Sequence, residues 1–148
     1  MTAIASEVVA EARRWIGTPY LHQASALGAG ADCLGLLRGV WRGVYGREPE
    51  AVPVYGWDWS EVSGEERLWQ AARRHLAERG AGEAGAGDLL LFRMRTGAVA
   101  RHLGIASDIG AGAAFIHSYS GHGVIESPLS AAWARRIAAR FSFPERSL

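Results

Sequence analysis

Lysine is absent from this sequence: all 16 basic residues are arginine, set against 15 Asp and Glu for a formal net charge of +1. Without a broad basic field the chain is not built to hold nucleic acid or an acidic lipid surface. Arginine-only usage among so many alanines and glycines reads as compositional bias rather than a phosphate-binding design. Cysteine occurs once, so no internal disulfide can form and nothing signals an oxidised scaffold. No apolar run approaches the length of a membrane span. The amino terminus, "MTAIASEVVAEARRWIG", lacks a continuous apolar core and carries Glu7 and Glu11, which makes it a poor secretory signal. The expectation is a soluble chain made in the cytoplasm, with no signal peptide and no membrane association.

What remains is ordinary globular material. At 148 residues, 49% hydrophobic and 21% charged, the chain fits a single domain over residues 1–148 with a real core. Ile4, Val8, Ala12 and Trp15 share one helical face, Thr2 or Ser6 can cap it, and Gly17 and Pro19 end it. A Gly- and Ala-rich loop, "TPYLHQASALGAGA", leads to Asp32, a good N-cap for a second helix that runs from Cys33 to the stop at Gly46. Residues 47–62 have no period and read as an irregular aromatic excursion, a candidate docking surface or simply a cap on the core. A third helix is expected over 64–79, opened by a Ser63–Glu66 capping box and closed by Gly80. "GAGEAGAG" (80–87) reads as a linker. After it come strand-like runs, "DLLLFRM", "VARHLGIAS", "AAFIHSYS", "GVIES" and "IAARFSF", with a short Ala-rich helix at 130–135 before the last. Helices first and strands second predict an α+β domain with an antiparallel sheet.

The lone thiol sits where the second helix begins. A cysteine there meets the positive end of the helix dipole and several unpaired amides, which lower a thiol pKa and can cradle an oxyanion. Asp32 opposes this with its own charge. The plain alternative is a small buried core residue, the usual fate of a free cysteine. The histidines supply the missing base. His102, Gly104 and Ala106 share one strand face; Phe115, His117 and Tyr119 share another. A hairpin turning at "DIGA" (108–111) puts His102 directly opposite His117, close enough for one ring to orient the other. Cys33, His102 and His117, with His122 as a fourth, also make a zinc-ligand candidate, although the short metal pairs are missing. His122 fits a Gly-flanked turn better, His22 a loop and His75 a helix surface. No G-x-S-x-G elbow supports a serine hydrolase, and the tryptophans have no stacking rhythm for single-stranded nucleic acid.

"GTPYLHQASALGAGADCLGLL", "GAGDLLLFRM", "RHLGIAS" and "AAFIHSYSGHGVIESPL", in this order, resemble the NlpC/P60 cysteine peptidases from about residue 8 to the end. Within that family the chain looks most like the cell wall peptidases carried on the tails of phages and gene transfer agents. The resemblance implies a papain-like fold, with N-terminal helices packed on a C-terminal antiparallel β-sheet. It implies Cys33 as nucleophile, His102 as base, His117 as the residue orienting it, and no cofactor. It implies Tyr20 on the substrate and oxyanion side of the cleft, and Asp32 near the amine end of the bound peptide. The substrate is then the stem peptide of peptidoglycan, and the partners are tail-tip or hub proteins of a phage-like particle that carries the chain to the target cell wall. There are departures. The family's Trp-Gly-Gly after the tyrosine is His22, Gln23 and Ala24 here, and its Ser after the cysteine is Leu34. They keep a second expectation open, a structural tail component with weak or lost activity. An acyltransferase on the same fold would use the same residues.

Overall fold

Thr2 Oγ1 accepts the amide of Ala5 at 3.1 Å and so starts the first helix, α1 (Ala3–Arg14). Ile4, Val8 and Ala12 are buried along it, as their spacing requires, and Trp15 closes its end inside the core. The computed structural model of the chain describes residues 1–51 and 65–146. Most of the irregular aromatic stretch, with its candidate docking role, lies outside the described residues, as does Ser63 of the expected capping box. The second helix, α2 (Cys33–Tyr45), begins at the Asp32 cap and ends at Gly46, whose φ of 82° is the left-handed conformation that closes a helix. It crosses α1 at Gly39, where an added Cβ would fall 2.0 Å from the Trp15 ring. The absence of a side chain there is what lets the two helices touch.

The loop between α1 and α2 is more ordered than the sequence implies. Two short strands, β1 (Ser25–Ala26) and β2 (Gly30–Ala31), pair with each other, and Tyr20 bridges to Ala31. The third helix, α3 (Arg67–His75), is shorter than expected at both ends. Glu66 stands at the N-cap position of this helix, and its carboxylate accepts the amide of Ala100 at 2.7 Å and pairs with Arg93 at 2.7 Å. At the other end Ala77–Arg79 leave the helix and become β3, paired with the last strand at Ala77↔Ser142, Glu78↔Phe141 and Arg79↔Arg140. Tertiary pairing overrides local propensity here.

The remaining strands are β4 (Leu89–Arg93), β5 (Ala100–Asp108), β6 (Ala114–Tyr119), β7 (Gly123–Pro128) and β8 (Ile137–Ser142), with the short helix α4 (Ala131–Ala134) before β8. They form one antiparallel six-stranded sheet in the order β3-β8-β4-β5-β6-β7. Both faces are covered, which explains why "LLLF" reads as an unbroken apolar run. Leu89, Leu91, Leu103, Ile105 and Phe141 pack with the residues of α1 and α2. Leu90, Phe92, Ala106 and Phe115 pack on the other face with Trp133 of α4. A buried leucine such as Leu36 or Leu91, truncated to alanine, would cost about 2–5 kcal/mol.

The β5–β6 hairpin differs from the symmetric turn expected at "DIGA". A 3-10 turn at Gly110–Gly112 and a bulge at Ser107 move the register to Ile105↔Ile116 and Ala106↔Phe115. Extended along the strands, that register sets His117 across from Gly104 rather than His102. A shift of two residues keeps every side chain on its own face, where a shift of one would have reversed them. The two histidines are diagonal neighbours on the same side of the sheet.

Candidate active site

Cys33 is the first residue of α2, and the cap before it is elaborate. One oxygen of Asp32 accepts the amide of Gly35 at 2.7 Å; the other accepts the amide of Gln23 at 2.7 Å and lies 3.7 Å from His22 Nδ1. Asp32 is 3% exposed, so this carboxylate is a buried fastener between the helix start and the loop that carries Tyr20. Gly35 permits the junction, because a Cβ there would lie 1.8 Å from the Ala24 carbonyl oxygen.

Cys33 is half-buried as a residue, and its sulfur meets β5 on both sides of His102. Its Sγ lies 3.8 Å from the carbonyl oxygen of Arg101, and the amides of Leu103, Leu34 and Cys33 itself point at it. This contact falls where the β5–β6 ladder has ended, since its last pair toward the histidine is Ile105↔Ile116. The sulfur thus occupies backbone groups of β5 beyond that last pair.

The two imidazoles are joined directly. His102 Nε2 and His117 Nδ1 are 2.8 Å apart, with the rings nearly perpendicular at 74°. His117 Nε2 is in turn 3.0 Å from Ser127 Oγ on β7. Aromatic rings hold the pair: Phe92 and Trp133 lie against His102, while Phe115 and Tyr119 lie over His117, with ring centroids 4.2 and 5.5 Å away. His122, on the turn after β6, stacks on Tyr119 at 11°.

Burial controls the proton affinities. It pushes the Cys33 thiol up to about 12, Asp32 adds to the rise, and the three amides only partly oppose them. The helix start therefore does not give an acidic thiol in the free protein. Burial, reinforced by the charges of His117 and Arg101, takes His102 down to about 3; burial and His122 take His117 down to about 4. Near neutral pH both imidazoles are uncharged and the sulfur carries its proton. Tyr20 is raised to about 12, by burial first and then by the nearby charges of Cys33 and Asp32, so it stays a hydrogen-bond donor beside the sulfur.

The structure thus gathers the Cys33 sulfur, the backbone flanking His102, the His102–His117 pair, Tyr20 and Asp32 at one corner. A zinc site would need Cys33, His102, His117 and His122 to converge. Among the described residues no group of three or more His, Cys, Asp or Glu side chains is arranged to hold a metal ion. Sequence reasoning missed three participants. His22 lies against Asp32, Ser127 reaches His117, and Trp133 walls the histidine face. Only the β6–β7 register, which sets Phe115 opposite Ser127 and His117 opposite Ile125, brings that serine to the ring.

No protein-family model and no curated protein matches the chain. Solved structures do match its fold. A lipoprotein-like protein of the NLP/P60 family from Staphylococcus aureus superposes with a TM-score of 0.65 at 19% identity, covering 99% of this chain and 43% of its own. The NlpC/p60 domain of the peptidoglycan hydrolase SagA gives a TM-score of 0.61 at 26% identity, covering 94% of this chain and 98% of that domain. Ly7917 with the hydrolysing product of MDP gives 0.57 at 15% identity, over 95% of this chain and 63% of its own. The chain thus spans less than half of the staphylococcal protein. It has the helix-and-sheet fold of these NlpC/P60 proteins, with the antiparallel sheet expected of it.

Proposed function

We propose that this chain is a cysteine endopeptidase that cuts the stem peptides of peptidoglycan, with Cys33 as nucleophile, His102 as base and His117 orienting it. The observation that carries the reading is the 2.8 Å bond from His117 on β6 to His102 on β5, the strand whose backbone touches the Cys33 sulfur. The fold shared with SagA, a peptidoglycan hydrolase, and with Ly7917 supports the substrate class.

The reaction follows from the protonation states. Neutral His102 takes the thiol proton as the sulfur attacks the peptide carbonyl carbon, so charge separates only as the new S–C bond forms. The oxyanion that develops rests on the amide of Cys33, with the protonated Tyr20 as a second donor. Collapse breaks the C–N bond, and His102 returns its proton to the departing amine. Water, deprotonated by the same imidazole, then splits the thioester and restores the thiol. Asp32 holds the loop and helix start so that Tyr20 and the sulfur keep their spacing, and it faces the amine end of the peptide.

Delivery on a phage-like tail tip, where tail or hub proteins would be the partners and the target cell wall the place of action, rests on the sequence resemblance alone. The raised thiol favours a second reading, a tail component that keeps the fold without the chemistry. Purified cell wall sacculi decide between them. The chain should release cleaved stem peptides, and Cys33→Ala should abolish release while leaving the thermal unfolding transition in place. Equal release by the variant removes the peptidase, and no release by either protein favours the structural component.

A further inference from the structure

We propose that Ser127 is a positioning residue for the histidine pair, its hydroxyl oxygen accepting the Nε2–H of His117 so that His117 Nδ1 is left as a bare acceptor for His102. The inference rests on the reading of His102 as base and adds a residue that the Cys-His-His set does not contain.

The need for such a residue comes from the protonation states. Were the sulfur and His102 a preformed ion pair, both ring nitrogens of His102 would carry protons and His117 Nδ1 would still have to accept. Here both groups are neutral near pH 7, so His102 must offer a lone pair to the thiol and carry its one proton on the other nitrogen. The nitrogen bonded to His117 is Nε2, which must therefore be the donor. His117 Nδ1 must then accept, and the proton of that ring must sit on Nε2, facing Ser127 Oγ at 3.0 Å. The reverse chain, with the hydroxyl donating to His117 and His117 donating to His102, satisfies the same contacts. It would leave His102 protonated on the side needed for catalysis and unable to act as base.

Two features of the surroundings favour the productive direction. Ser127 is partly exposed on β7, the edge strand of the sheet, and lines an open groove with Ala113, Ala114 and Leu129. Its own proton has water to go to, which frees an oxygen lone pair for His117. The His117 ring, only 1% exposed and packed against Phe115 and Tyr119, cannot swing its nitrogens toward other partners. A side-chain hydroxyl that fixes an imidazole tautomer from behind acts like the partners that orient metal-bound histidines.

Ring ¹⁵N spectra of the full chain labelled at histidine, recorded near pH 7.5, test this without turnover. Wild type should show His117 protonated on Nε2 and bare on Nδ1, with His102 likewise protonated on Nε2. Ser127→Val should mix or reverse the tautomers, and Ser127→Thr, which keeps the hydroxyl on a similar shape, should retain the wild-type pattern; Ser127→Ala repeats the comparison with less bulk. On a stem-peptide substrate kcat/KM should fall about fivefold to tenfold in the Val and Ala variants and recover in Thr. His117 protonated on Nδ1 in wild type, or an unchanged ring spectrum in Val and Ala, overturns the role of Ser127. Failure of the hydrolase reading shows separately, as undiminished release by Cys33→Ala.

Discussion

The carboxylate of Asp32 accepts the amide of Gln23 at 2.7 Å, and Gln23 is the one non-glycine residue with a positive φ, 66°, among the described residues. The bond and the unusual backbone belong together. A left-handed residue turns its amide back toward the helix start, and the buried carboxylate holds it there against a penalty of about 1 kcal/mol for a side chain in that region. Glycine, which the resemblance places in this stretch, would carry no such penalty. Gln23→Gly should therefore leave the turn intact and raise stability by about 0.5–1 kcal/mol, a rise of roughly 2–3 °C in Tm by calorimetry. Asp32→Ala should lower stability by about 2–4 kcal/mol, because it removes a cap and strands a second amide.

Gly104 faces His117 across the sheet. A Cβ there would lie 2.9 Å from the Phe115 ring, 3.0 Å from the Ile116 carbonyl oxygen and 3.2 Å from His117 Cβ. Gly104→Ala should cost about 1–3 kcal/mol in urea unfolding. Peptide release should fall by a larger factor than stability explains, since the crowded strand carries His117, the residue proposed to orient His102.

The pH dependence of alkylation reports the resting state of the sulfur. With Cys33 raised to about 12 and His102 lowered to about 3, the thiolate is scarce near neutral pH. Iodoacetamide should modify Cys33 about tenfold faster for each pH unit between 6 and 9. A rate already level below pH 7 would mean a preformed thiolate–imidazolium pair and would sink the neutral resting state.

Stability should fall on acidification. Both histidines bind protons far more weakly in the folded chain, about 3 for His102 and about 4 for His117, than at the ordinary value of 6.5. Below pH 6.5 the unfolded state takes up protons that the folded state refuses, so their contribution is complete above 6.5 and is lost as pH drops toward 4 for His117 and toward 3 for His102. The slope is about 1.4 kcal/mol per pH unit for each histidine. Urea midpoints measured from pH 7 to 4.5 should show it, and a His102→Gln, His117→Gln double variant should flatten it.

The sequence brought the two histidines together better than it traced the path to them. Period-2 alternation put His102 and His117 on matching faces, and that survived an error in the hairpin register because the error was of two residues. The Asp32 cap and the Gly46 stop were local chemistry and were legible as such. The ends of α3 were not, because the partners of Glu66 and of Ala77–Arg79 come from strands distant in sequence. Ser127 and Trp133 were hidden for the same reason: a serine on an edge strand and a tryptophan on a four-residue helix carry no signal of their own. The acidity of the thiol also escaped. Helix position is visible in sequence, whereas the burial that outweighs it is a property of packing.

The ladder between β5 and β6 stops at Ile105↔Ile116, short of the segment that meets the sulfur. That unzipped seam is a condition of the proposed chemistry, since one further rung toward His102 would close over the backbone groups that Cys33 now occupies. Substitutions that tighten the hairpin for the sake of hardiness should thus trade away reactivity, and the sheet is held at the length where a neighbouring helix can still reach in.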